Sequence, residues 1–115
     1  MARLSGGHSR ELLHGTLESM ILRVLADGRA HGYSVGRAIE RALGDAAPIE
    51  DGSLYPALYR LEKKALIRGS WAKTDTGRRA RVYELTPEGK AALAAKRRQW
   101  TAFSAAVSRL MAGAK

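Results

Sequence analysis

No cysteine occurs among the 115 residues. That absence removes disulfides, thiolate metal ligands and cysteine nucleophiles together, and it fits a reducing cytoplasm. Long apolar runs are missing as well, and the longest stretches fall far short of a membrane span. The N-terminal run from Met1 to Arg10 has no apolar segment of the kind a secretory signal needs. His8, His14 and His31 show no metal-ligand spacing with one another or with carboxylates. No glycine-rich phosphate loop and no pair of carboxylates in a cleft can be placed. These absences point away from an enzyme, from a cofactor or metal, and from a membrane. The expectation is a soluble cytoplasmic chain.

What is present is charge of one sign. Lys and Arg number 20 against 11 Asp and Glu, a formal charge of +9, with an isoelectric point near 10.5. A compact chain this basic attracts polyanions at long range, although a charge excess by itself also reads as a solubilising surface. The length suits one domain with one modest core.

Hydrophobic periodicity divides the chain. Residues 1–9 are polar and glycine-containing and read as a flexible tail. From Glu11 to Ala26, Leu13, Leu17, Met20, Ile21, Val24 and Leu25 recur at three- and four-residue steps, which makes one apolar helical face. Asp27-Gly28 ends that helix. A second helix is expected over Gly32 to Leu43, with Tyr33, Ile39 and Leu43 inward and Arg37, Glu40 and Arg41 outward. His31 reads as a helix-start residue. Asp45 to Pro48 is a connector, because Pro48 biases Ala47 away from helix.

The third segment, Gly52 to Lys64, buries Leu54, Leu58, Leu61 and Ala65. A proline is tolerated in the first turn of a helix, so Pro56 sets the start near residues 51–53, with Ser53 as N-cap. Two candidate strands follow, Leu66 to Lys73 and Ala80 to Leu85, joined by the polar loop Thr74 to Arg79. Thr86-Pro87 then opens a last helix running to about Met111.

The expected fold is mainly α with a small two-stranded β-hairpin: three helices and a hairpin in the winged helix-turn-helix order, then a long C-terminal helix. Residues 10–85 form the DNA-binding unit and residues 86–115 the dimerisation helix. In that arrangement the third helix enters the major groove.

Three elements carry the chemistry. Subtracting the leucine stripe leaves Ser53, Tyr55, Pro56, Tyr59, Arg60 and Lys63 on the open face of the third helix. Hydroxyls, a guanidinium and an ammonium there can meet phosphate or base edges, although each residue alone also reads as an ordinary solvated or packing side chain. The hairpin holds Lys73, Arg78, Arg79 and Arg81 against Asp75, four cations to one anion, which suits a phosphate backbone or minor groove better than a merely soluble loop. In the last helix Leu93, Trp100 and Val107 recur at seven residues. Phe103 and Leu110 do the same, offset by three. That is an a/d seam broken by Lys96. It points to a homodimer, the competing reading being that this helix folds back on the first within one chain. Trp100 and Phe103 are also the candidates for a flat small-molecule site in the seam.

Four segments resemble the PadR-like transcriptional regulators: Gly15-Thr16-Leu17…Ile21-Leu22; His31-Gly32-Tyr33; Glu50-Asp51-Gly52-Ser53-Leu54-Tyr55-Pro56-Ala57-Leu58-Tyr59-Arg60-Leu61-Glu62; and Arg79-Ala80-Arg81-Val82-Tyr83-Glu84-Leu85-Thr86-Pro87-Glu88-Gly89. The match covers roughly residues 11–112, and Gly-Ser-Leu-Tyr-Pro is its most diagnostic piece. The resemblance implies a homodimeric winged-helix repressor on double-stranded DNA, with its recognition helix near 52–65 and its wing near 74–80. It implies the short subgroup with a single C-terminal helix. Some relatives release DNA on binding phenolic acids or flat drugs, so a small aromatic effector at the seam is the alternative reading.

Overall fold

The computed structural model describes residues 6–44 and 51–113, leaving aside the side chains of residues 6–14 and 51. Seven elements follow in order: α1 (Gly6–Leu25), β1 (Ala30–His31), α2 (Gly32–Leu43), α3 (Asp51–Lys63), β2 (Ile67–Lys73), β3 (Arg79–Leu85) and α4 (Pro87–Met111). The winged helix-turn-helix order expected from sequence is the order found. The Asp45–Pro48 connector lies outside the described residues.

One core joins these elements. Leu17, Ile21, Leu22 and Leu25 of α1 meet Val35 and Ile39 of α2 and the Leu54, Ala57, Leu58 and Leu61 stripe of α3. Ile67, Tyr83 and Leu93 close it from the sheet and from α4. Nonpolar area removed from water at these three- and four-residue steps is what holds the helices together.

Several expectations change. The sheet has three antiparallel strands in the order β1-β3-β2, with Ala30 opposite Tyr83 and His31 opposite Val82. A two-residue strand leaves no period to read, which is why sequence shows only the hairpin. His31 does precede α2 as its N-cap, in an extended conformation. Tyr33 is 61% exposed rather than core. The inward stripe of α2 is Gly32, Val35, Gly36 and Ile39; two of its members have no side chain, so the stripe is hidden from a hydrophobic count. Helix α1 starts at Gly6, inside the segment read as a tail. Extension of a formed helix needs only one bond per residue fixed.

Helix α3 begins at Asp51, so Ser53 and Pro56 lie inside it rather than at its cap and first turn. Pro56 has no N–H to reach the Gly52 carbonyl, and the helix extends upstream with that one ladder bond missing. Its far end is a Schellman motif: the Leu66 amide donates to the Leu61 carbonyl at 3.0 Å and the Ala65 amide to the Glu62 carbonyl at 2.9 Å. Ala65 occupies the left-handed position with φ of 62° and is exposed, not part of the buried stripe.

Helix α4 starts as expected. Thr86 is its N-cap, accepting from the Gly89 amide at 2.9 Å, and Pro87 follows in the first turn. The Thr86 hydroxyl also donates to the Ala65 carbonyl at 2.7 Å, and its amide donates to the Leu66 carbonyl at 3.1 Å. One threonine therefore ties the end of α3 to the start of α4.

Candidate nucleic-acid interface

Side chains two apart on a strand share a face. The register sets Ile67 opposite Leu85, Gly69 opposite Tyr83, Trp71 opposite Arg81 and Lys73 opposite Arg79. The face carrying these eight residues changes character along its length. It is apolar core at the base, aromatic in the middle and cationic at the tip. Alternation at period two in β2 and β3 already encodes this, but only knowledge of which face meets α3 gives it meaning.

Between this face and α3 lies an open groove of about 570 Å³, lined by Tyr55, Tyr59, Glu62, Lys63, Trp71, Arg81 and Tyr83. Its walls present rings to solvent: Tyr55 is 43%, Tyr59 62% and Trp71 57% exposed. Cations lie on those rings. Lys63 Nζ sits 5.6 Å from the Tyr59 ring centre, and Arg79 lies 4.9 Å from that of Trp71.

Of the expected interface residues, Tyr55, Pro56, Tyr59 and Lys63 are exposed on α3, and Ser53 is half-buried. Lys73, Arg78 and Arg79 are exposed on the hairpin. Two expected contacts have other work. Arg60, half-buried, reaches toward α1: its Nε donates to Glu18 at 2.7 Å, and Lys64 donates to the other oxygen of the same carboxylate at 3.1 Å. Burial raises the proton affinity of Glu18, and its bonds to Arg60 and Lys64 more than offset this, so its pKa lies below the usual value. Counting exposed-face positions on α3 could not reveal this, because the partner is a glutamate 42 residues upstream.

Arg81 is the second. It is half-buried and donates to Glu62 of α3 at 2.5 Å. Its guanidinium lies 5.3 Å from the Trp71 ring centre and 5.9 Å from that of Tyr83. Gly69 leaves the space this requires, since a β-carbon there would meet the guanidinium at 2.5 Å. Arg81 braces the hairpin against α3 rather than reaching outward. Glu62, Trp71 and Tyr83 are thus parts of the site that sequence reasoning did not include.

The expected dimerisation residues divide. Leu93 is 7% exposed and belongs to the chain's own core, because the first turns of α4 pack on α1 and β3. Beyond it, Trp100 (55%), Phe103 (57%), Val107 (38%) and Leu110 (74%) are exposed. The rings of Trp100 and Phe103 stand 6.5 Å apart, tilted by 49°. Among the described residues no group of histidines and carboxylates could hold a metal ion, and no helix is long and apolar enough to cross a membrane.

Residues 21–95 match the family model of the transcriptional regulator PadR-like family. The transcriptional regulator Rv3488 of Mycobacterium tuberculosis is 37% identical over 89 residues, spanning 77% of this chain and 79% of that one. Among solved structures, the PadR-like transcriptional regulator BC4206 of Bacillus cereus aligns with a TM-score of 0.74 at 28% identity, over 88% of this chain and 96% of that one. A PadR family transcriptional regulator of Eggerthella lenta aligns with a TM-score of 0.73 at 28% identity, over 91% and 89%. Family model, relative and folds agree with the topology: the chain belongs to the PadR-like family of transcriptional regulators.

Proposed function

We propose that the protein is a homodimeric, sequence-specific repressor that binds an inverted-repeat operator in the cytoplasm. Residues 10–85 form the DNA-binding unit and residues 86–115 the dimerisation helix. Helix α3 presents Ser53, Tyr55, Pro56, Tyr59 and Lys63 to the major groove, and Lys73, Arg78 and Arg79 lie along the adjacent backbone or minor groove. The observation that carries this reading is the juxtaposition of that α3 face with a hairpin whose exposed tip is cationic. The bare apolar strip of Trp100, Phe103, Val107 and Leu110 supports self-association, with two copies placing two recognition helices about one DNA turn apart.

Selection of bound genomic fragments, followed by titration of the enriched duplex at several salt concentrations, tests it. Recovery of an inverted repeat is expected, with affinity falling steeply as salt rises. Arg78→Ala together with Arg79→Ala should flatten the logarithmic salt dependence by about two units. Unchanged affinity in that double variant removes the hairpin from the interface.

A second reading has its own observation. The exposed, tilted Trp100–Phe103 pair suits a planar aromatic effector at the seam. Tryptophan quenching by such compounds, absent in a folded Trp100→Ala variant, would favour it.

A further inference from the structure

A helix in a major groove and a hairpin in the neighbouring minor groove are separated by one sugar–phosphate strand, since that strand is the ridge between the two grooves. The gap between α3 and the hairpin must then have the chemistry of a seat for that ridge. Its floor is aromatic: Tyr83 lies at the base, and Tyr55, Tyr59 and Trp71 rise at the sides. Its charge suits a polyanion. Lys63 and Arg81 line it, and Arg79 lies 4.9 Å from the Trp71 ring centre. Glu62 is the carboxylate in the lining, and its charge is met by Arg81.

We propose that this groove seats one DNA strand and that Trp71 is a DNA-contacting residue, its indole packed on deoxyribose and its ring N–H available to a phosphate oxygen. The inference rests on the DNA-binding reading above and adds to it a residue and a division of labour. Lys63 and Arg79 neutralise phosphate. Arg81, held by Glu62 and lying between Trp71 and Tyr83, is a positioning residue that sets the width of the gap. Trp71 is suited to its part because it is more than half exposed although flanked by two guanidiniums. An indole left this open on a braced sheet, with guanidiniums over its ring, offers its exposed apolar edge to the sugar, which carries no charge and no sequence information.

Full-length protein, a mixed-sequence 30-bp duplex and tryptophan emission test the proposal. Acrylamide, a neutral quencher, reaches an exposed indole without perturbing ionic contacts. Adding the duplex to the wild-type protein should shield part of the emission from acrylamide. In Trp71→Phe, which keeps a ring in the groove, that shielding should vanish while the duplex still binds. Trp71→Ala should weaken duplex binding about tenfold, as expected for about 50 Å² of apolar contact, with the salt dependence unchanged. Lys63→Ala should instead lower the logarithmic salt slope by about one unit. Duplex binding that leaves the wild-type emission fully quenchable overturns the seat and spares the DNA-binding reading. So does equal shielding in wild type and Trp71→Phe. Failure of the wild-type protein to bind any duplex at low salt removes both.

Discussion

The two ends of α4 obey different rules. At the near end Thr86 caps the helix and bonds the turn after α3, Gly89 lies against the Leu66 carbonyl, and Leu93 enters the core. At the far end Trp100, Phe103, Val107, Leu110 and Met111 face solvent. Both stretches carry apolar residues at helical spacing, so composition does not separate them. What separates them is whether the rest of the chain reaches that far along the helix. The near end holds its own fold together, and the far end exposes a run of apolar side chains.

Breaking the near end should have the largest effect. In Gly89→Ala the new β-carbon would overlap the Leu66 carbonyl, a backbone atom that cannot step aside. Destabilisation by about 3 kcal/mol or more is expected, read as a loss of urea midpoint. A loss below about 1 kcal/mol would show that this junction is slack.

At the far end the prediction is different in kind. Trp100→Ala should leave the unfolding of dilute protein nearly unchanged and weaken self-association by about 2 kcal/mol, the scale of an aromatic anchor in an interface. Sedimentation across a concentration series checks this. If the variant unfolds early and associates normally, the contrast between the two ends is wrong.

A third test asks whether the near end depends on the α1–α3 ion pair for its platform. Glu18 has its pKa lowered in the folded state despite burial, through Arg60 and Lys64. A depressed carboxylate pKa contributes stability that is present above the unfolded value and is lost as pH falls through the folded one. Stability should therefore decline on acidification below the ordinary carboxylate range. Glu18→Gln should remove that part of the decline and cost about 1–2 kcal/mol at neutral pH, because Arg60 is left with a partner that carries no charge. Parallel pH titrations of wild type and variant by thermal melting decide it.

The smallest effect has the opposite sign. Ala65 sits at φ of 62°, a conformation that disfavours a β-carbon. Ala65→Gly should stabilise the near end by about 1 kcal/mol, since its carbonyl remains available to Thr86. A drop in melting temperature would show that the Ala65 side chain packs in a way its exposure conceals.

Particular residues show how far sequence reading reaches. The helix start at Thr86-Pro87 was legible because cap chemistry is local: a hydroxyl acceptor, a ring without an N–H and three residues of spacing suffice. The Leu54, Leu58 and Leu61 stripe was legible because three bulky side chains mark one face. Tyr33 was misplaced because Gly32 and Gly36, which mark the true inward face of α2, have no side chain to count. Arg60 and Leu93 were misplaced for a shared reason. Each was assigned outward by its spacing on one helix, while its surroundings are set by α1, which is far away in the sequence.

The order of the four helices and the β2–β3 hairpin, the Thr86 cap, the excess of positive charge and the basic hairpin tip follow from the sequence by itself, since each depends on residues close together along the chain. The tertiary structure alone decided which of these cations are ion-paired within the chain. Arg60 and Arg81 look equivalent to Lys63 and Arg79 in one dimension. Only folding brings Glu18 and Glu62 within bonding distance of the first two. A charge's availability depends on distance to the opposite charge, and that distance is a property of the packed molecule.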